Sequence, residues 1–112
     1  MIVEKRQIEE FTLLTIEGVV RLGESAEFFA ETLQATLAED HGHVVVDFSN
    51  INYIDSTGLG ELVGYLDRFR AQKRRLILVG LNERISSLLE MSHLHDLFEI
   101  YAGIEDAMAA EG

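Results

Sequence analysis

The stretch Val44-Val45-Val46-Asp47-Phe48-Ser49-Asn50-Ile51-Asn52-Tyr53-Ile54-Asp55-Ser56-Thr57-Gly58-Leu59-Gly60 decides how the rest of the chain is read. It opens on three β-branched residues, Val44 to Val46, a run too short for a helix and suited to a strand buried on both faces. Asp47, Ser49, Asn50 and Asn52 are turn-forming, so the run is expected to break there. After Asp55-Ser56-Thr57, apolar residues recur at Leu59, Leu62, Val63 and Leu66, the i, i+3, i+4, i+7 stripe of a helix. One carboxylate and two hydroxyls therefore sit where a strand gives way to a helix N-terminus.

That junction has a definite electrostatic character. The first turn of a helix carries backbone N–H groups without intrahelical partners and the positive end of the macrodipole, so it accepts an anion readily. Ser56 or Thr57 reads as an N-cap hydroxyl, and cap preference alone explains such residues. Either is equally placed to carry a phosphoryl group.

Upstream, Ile2 to Glu9 alternates weakly and contains Lys5 and Arg6, as an edge strand does, and Phe11 to Glu17 is a stronger strand. Gly18 marks a turn before a short strand over Val19 to Leu22. An amphipathic helix follows from Glu24 or Ser25 to about Glu39, with Ala26, Phe29, Ala30, Leu33 and Leu37 on one face and Gly42 as its C-cap. Downstream, the helix that starts near Ser56 runs to about Gln72, and Leu76 to Val79 is a second continuous apolar strand. Strand, helix, strand between Val44 and Gly80 makes a βαβ unit with parallel strands and a right-handed crossover. Asn82 caps a third helix with Ile85, Leu88 and Leu89 inward, a short strand lies near Glu99 to Tyr101, and a closing helix spans Gly103 to Ala110.

With 112 residues, the expectation is one domain over positions 1–112. A hydrophobic fraction of 47% suits a packed core. The absence of cysteine removes disulfides and thiolate metal sites and points to a reducing cytoplasm. Glu4, Lys5 and Arg6 interrupt any leader-like apolar run, and no stretch is long enough for membrane insertion. Nine basic against 20 acidic residues give a net charge of −11, which argues against nucleic acid and anionic lipid as partners. The acidity suits a basic or apolar protein partner, and serves solubility equally well.

Other clusters read as structural. His41-x-His43 and His93-x-His95 lack a third ligand and are read as surface or capping residues, so no metal is expected. Arg68, Arg70, Lys73, Arg74 and Arg75 hold five of the nine basic residues. They are read first as cations favoured by a helix C-terminus, and second as a patch for an acidic partner. Gly60 and Gly64, one turn apart, suggest close packing on a neighbour. Ser56 has neither a Gly-x-Ser-x-Gly elbow nor a base beside it, and no phosphate-cradling loop with a lysine occurs. The chain is read as a substrate rather than an enzyme, with no catalytic residue and no cofactor.

Ile54-Asp55-Ser56-Thr57-Gly58-Leu59-Gly60, after a buried Val-Val-Val-Asp strand, resembles the signature of STAS domains of the anti-sigma factor antagonist (anti-anti-sigma factor) family. The likeness extends to Leu76-Ile77-Leu78-Val79-Gly80 and to Leu88-Leu89-Glu90-Met91-Ser92-His93-Leu94. The resemblance implies an α/β STAS-type fold, a mixed four- to five-stranded sheet with about four helices packed mainly on one face. It implies phosphorylation of Ser56 by an anti-sigma factor that is itself a serine kinase, and reversal by a PP2C-like phosphatase. It also implies a partner-binding surface at Asp55, Ser56, Thr57, Gly58, Leu59 and Gly60, joined by Glu24 and Met91. Binding of the kinase would release a sigma factor. Two other roles stay open: a STAS-like accessory subunit of a membrane transport or lipid-transfer complex, and a nucleotide-sensing module, since a sheet edge and helix N-terminus can hold a phosphate. Many family members carry Gly-x-Leu-Asp before the first long helix. Here Gly18-Val19-Val20-Arg21-Leu22-Gly23-Glu24-Ser25 lacks that aspartate, and Glu24 stands nearby in a shifted place.

Overall fold

The computed structural model describes residues 1–110. Five strands form one sheet in the order β1-β2-β3-β4-β5: Ile2–Ile8, Phe11–Val20, His43–Ile54, Leu76–Val79 and Glu99–Tyr101. β1 and β2 are an antiparallel hairpin, and every later neighbour is parallel. Parallel neighbours require crossovers, and four α-helices belong to them or follow them: α1 (Glu24–Glu39), α2 (Ser56–Ala71), α3 (Glu83–Met91) and α4 (Ile104–Ala109).

Side-chain alternation along the strands sorts the core into two layers. Leu14, Ile16, Val44, Val46, Leu76 and Leu78 point to the face covered by α1, α2 and α3, where they meet Phe29, Leu33, Leu62, Leu66 and Leu89. Phe11, Leu13, Val45, Ile77 and Val79 point the other way and are covered by α4 through Ala107, with Ile104 and Met108 beside it. The expected mixed sheet with helices mainly on one face is what the chain forms. β4 and the Val44 to Val46 portion of β3 are buried on both faces, which is why Val44 to Val46 and Leu76 to Val79 read as unbroken apolar runs. Each fully buried large side chain, such as Phe29 or Leu62, contributes about 1.5–3 kcal/mol.

The central strand differs from the reading of its polar residues as a break. β3 continues unbroken to Ile54, and its pairing with β2 slips twice, between Thr15 and Glu17 and between Gly18 and Val19. Each slip adds one residue to β3, so its core-facing positions run Val44, Val46, Phe48, Ile51, Ile54. Ser49, Asn50, Asn52 and Tyr53 take the outward positions that these bulges create. β2 likewise passes through Gly18 as one strand rather than turning there.

Two other expectations change. Gly42 is not the C-cap of α1, a position that Asp40 takes in extended conformation. Gly42 instead lies against the β1–β2 turn, where a Cβ would sit 1.9 Å from the Glu10 carbonyl oxygen. Nor do Gly60 and Gly64 mark close packing, because a Cβ on either would meet open space.

Four residues of the basic cluster make contacts within the fold. Arg74 is only 6% exposed and donates to the carbonyls of Gly42 (2.8 Å), Leu37 (3.0 Å) and Thr36 (3.3 Å). It thus serves the last turn of α1 rather than that of α2, and stacks on Phe69. Arg75 grips Glu99 with two hydrogen bonds of 2.8 and 2.6 Å. Arg70 donates to the Leu97 carbonyl, and Arg68 lies over the Tyr65 ring. Arg68, Arg70 and Lys73 remain exposed.

Candidate partner-binding site

Asp55 organises the junction between β3 and α2. It occupies the N-cap position in extended conformation, so the cap is the carboxylate and not the Ser56 or Thr57 hydroxyl. One carboxylate oxygen, Oδ1, accepts the Gly58 N–H at 3.0 Å, and the other, Oδ2, accepts the Leu22 N–H at 2.8 Å. The Asp55 backbone N–H donates to the Val20 carbonyl at 3.1 Å. One residue therefore fixes the start of α2 and the β2–α1 loop together. The Gly58 and Leu22 N–H groups hold the Asp55 carboxyl below the usual carboxylate range, because they stabilise its charged form.

Ser56 is the first residue of α2 and is exposed; Thr57 is half-buried. Gly58 packs so tightly that a Cβ would lie 2.7 Å from Ile54 Cγ1 and 2.8 Å from Val20 Cγ1. Gly58 and Leu59, expected on a partner-binding surface, are buried in the core. The reason is the stripe itself: Leu59 is the first residue of the Leu59, Leu62, Leu66 face that packs on the sheet. Gly60 points outward one position later.

Two clefts flank the Ser56 turn. A groove of about 470 Å³ lies between this turn and α3, with Tyr53, Ile54, Ile85, Leu88 and Met91 as apolar walls. Asp55, Ser56, Arg84 and Ser87 supply its polar edge. A smaller cleft of about 180 Å³ on the other side has Leu22, Gly23, Ala26, Glu27, Thr57 and Glu61 as its lining. Large apolar side chains around the two are unusually bare: Leu22 is 77% exposed, Met91 80% and Tyr53 41%.

Asp55, Ser56 and Met91 thus share one groove, and Thr57 borders the other cleft. Glu24 is exposed but borders a separate depression with Met1, Ser25 and Phe28. Leu22, Tyr53 and Arg84 were not singled out from the sequence. Leu22 carried a usable signal, an apolar residue between Arg21 and Gly23 at a helix entrance. Arg84 carried none, since a cation early in α3 has no pattern to betray it.

The histidines have structural surroundings. His43 Nδ1 accepts the Arg75 backbone N–H at 2.9 Å, and His93 adopts a left-handed conformation just after α3. Among the described residues no group of three or more His, Cys, Asp or Glu side chains is placed to hold a metal ion. Likewise, among them no helix is long and apolar enough to cross a membrane.

Comparison with known proteins agrees with this architecture. The anti-sigma-B factor antagonist of Staphylococcus epidermidis is 36% identical over 75 residues, 67% of this chain and 69% of that protein. A putative anti-sigma factor antagonist from Thermotoga maritima superposes with a TM-score of 0.87 at 22% identity, over 95% of this chain and 91% of the other. SpoIIAA, an anti-sigma factor antagonist of Bacillus, superposes with TM-scores of 0.71 unphosphorylated and 0.70 phosphorylated, each at 14% identity. Each comparison covers 96% of this chain, with 94% and 97% of the respective SpoIIAA chains. The family model described as STAS domain matches residues 3–107, and with that match the chain belongs to the STAS domain family.

Proposed function

We propose that this chain is an anti-sigma factor antagonist switched by phosphorylation at Ser56. The observation that carries the reading is the exposed Ser56 hydroxyl at the head of α2, between two clefts rimmed by bare Leu22, Tyr53 and Met91. The name of the staphylococcal relative supports the antagonist role. Unmodified, this surface binds an anti-sigma factor that is a serine kinase and so frees the sigma factor held by it. Asp55, Ser56, Thr57, Gly60 and Met91 contribute to the contact, with Leu22 and Tyr53 as apolar anchors.

The kinase supplies ATP. The Ser56 oxygen attacks the γ-phosphorus, the bond to ADP breaks, and the hydroxyl proton leaves to the kinase or solvent. The product adds about −1.5 to −2 charges beside Asp55. The α2 N-terminus tolerates that charge, so the fold is retained and the loss falls on the interface. A PP2C-like phosphatase in the cytoplasm hydrolyses the ester and restores the hydroxyl.

Incubation with cell extract and ATP, followed by intact-mass and site-mapping spectrometry, tests the reading. The expected result is one phosphoryl group, on Ser56, with a kinase captured alongside. An unmodified chain recovered with transport subunits would instead favour a structural brace.

A further inference from the structure

We propose that Arg84 receives the phosphoseryl group formed at position 56, swinging across the groove between α2 and α3 to pair with it and roofing the apolar walls beneath. The proposal rests on the reading that Ser56 is the phosphorylated residue.

Ser56 and Arg84 line the same groove, one from the first turn of α2 and the other from the first turn of α3. Arg84 is exposed, and among the described residues the ion pairs are Lys5 with Glu39 and Asp40, Arg75 with Glu99, and His95 with Asp96, so none engages it. The other arginines near α2 are spent: Arg68 on a ring, Arg70, Arg74 and Arg75 on carbonyls or a carboxylate. In a chain of net charge −11, Arg84 is the cation that lines the groove with Ser56; Arg21, also exposed and outside those ion pairs, stands in the β2–α1 loop and does not line it.

Asp55 shares the groove with Arg84 and is the obvious rival anion. Both its oxygens already accept backbone N–H groups, from Gly58 and Leu22. A phosphoryl group carries three acceptor oxygens and nearly twice the charge, and a guanidinium fork matches two of them at once. Pairing therefore moves Arg84 from solvent to the phosphate. Its aliphatic stem then lies over Ile85 and Leu88, covering apolar surface that the unmodified protein offers to a partner. Phosphorylation on this account closes the groove as well as charging its rim.

The test uses the full chain with phosphoserine installed at position 56 during translation, so that it does not depend on whether any kinase modifies Ser56. The phosphorus-31 resonance is titrated with pH in three backgrounds: wild type, Arg84→Gln and Arg6→Gln. Arg6 lies on the edge strand β1, so its removal changes net charge equally without touching the groove. A neighbouring cation favours the dianion, so the second ionisation in wild type is expected about half a pH unit or more below that in Arg84→Gln. Arg6→Gln is expected to match wild type, and the difference should shrink in 1 M salt. Identical titrations in wild type and Arg84→Gln, or an equal change in Arg6→Gln, would overturn the proposal. Failure of extract to phosphorylate Ser56 would overturn the functional reading while leaving this titration to be judged alone.

Discussion

The Asp55 carboxylate accepts the Leu22 backbone N–H at 2.8 Å, joining residues 33 positions apart in the chain. That bond lets one side chain set both the helix that presents Ser56 and the loop that presents Leu22. Asp55 lines the larger groove, and Leu22 lines the smaller cleft.

Acid sensitivity follows from the same group. Asp55 and Glu99 both have folded-state ionisations depressed below their ordinary values of 3.8 and 4.5, Asp55 by the Gly58 and Leu22 N–H groups and Glu99 by Arg75. A carboxyl depressed on folding contributes stability above its unfolded value, and that stability is lost as pH falls through the folded one. The melting temperature should therefore be steady down to about pH 4.5 and fall below it. Asp55→Asn and Glu99→Gln should each melt lower than wild type at neutral pH and show a shallower acid slope. Parallel slopes in all three would remove these groups from the account.

Gly58→Ala is expected to destabilise by about 1–3 kcal/mol, because its Cβ would meet Ile54 and Val20 inside van der Waals distance. Gly60→Ala, two residues on, meets open space and sits in a helix, so it should be neutral or stabilising by up to about 1 kcal/mol. Urea melts of the two variants check the contrast.

Arg74→Met should cost about 2–4 kcal/mol in the same melts, since it strips hydrogen bonds from the carbonyls of Thr36, Leu37 and Gly42. Lys73→Met beside it is exposed and should stay within about 0.5 kcal/mol of wild type. Equal effects would mean that net charge, not the carbonyl contacts, matters.

Leu22→Ser and Met91→Ser remove exposed apolar side chains, so stability should change by less than about 0.5 kcal/mol. Affinity for the anti-sigma partner should fall about tenfold or more for each, as expected of anchors at the centre of an interface. Titration calorimetry measures it, and unchanged affinity would move the interface elsewhere.

Residues that act through local spacing were legible from the chain alone. Phe29 and Leu33 on α1, Leu62 and Leu66 on α2, and the Asn82 cap of α3 are where periodicity and cap chemistry put them. The bulges of β3 were not, because Ser49, Asn50 and Asn52 look the same whether they end a strand or fill extra positions within one. The cap was read onto the Ser56 or Thr57 hydroxyl, whereas the extended backbone of Asp55 and its bond from the Gly58 N–H assign it to the carboxylate. Arg74 was misread because its acceptor carbonyls lie 32 to 38 positions away, beyond any local pattern. A strand end, a carboxylate and a helix stripe within a few residues mark the junction itself, whereas the role expected of Ser56 comes from the family resemblance.

Calorimetric titration of the anti-sigma kinase with the unmodified chain, and with the chain phosphorylated on Ser56, reaches the core of the account most directly when both forms are also melted. A dissociation constant raised about 100-fold or more by the phosphoryl group, roughly 2.7 kcal/mol, with melting temperatures within a few degrees, is the predicted result. Equal affinities, or a phosphorylated form that melts far below the unmodified one, would contradict it.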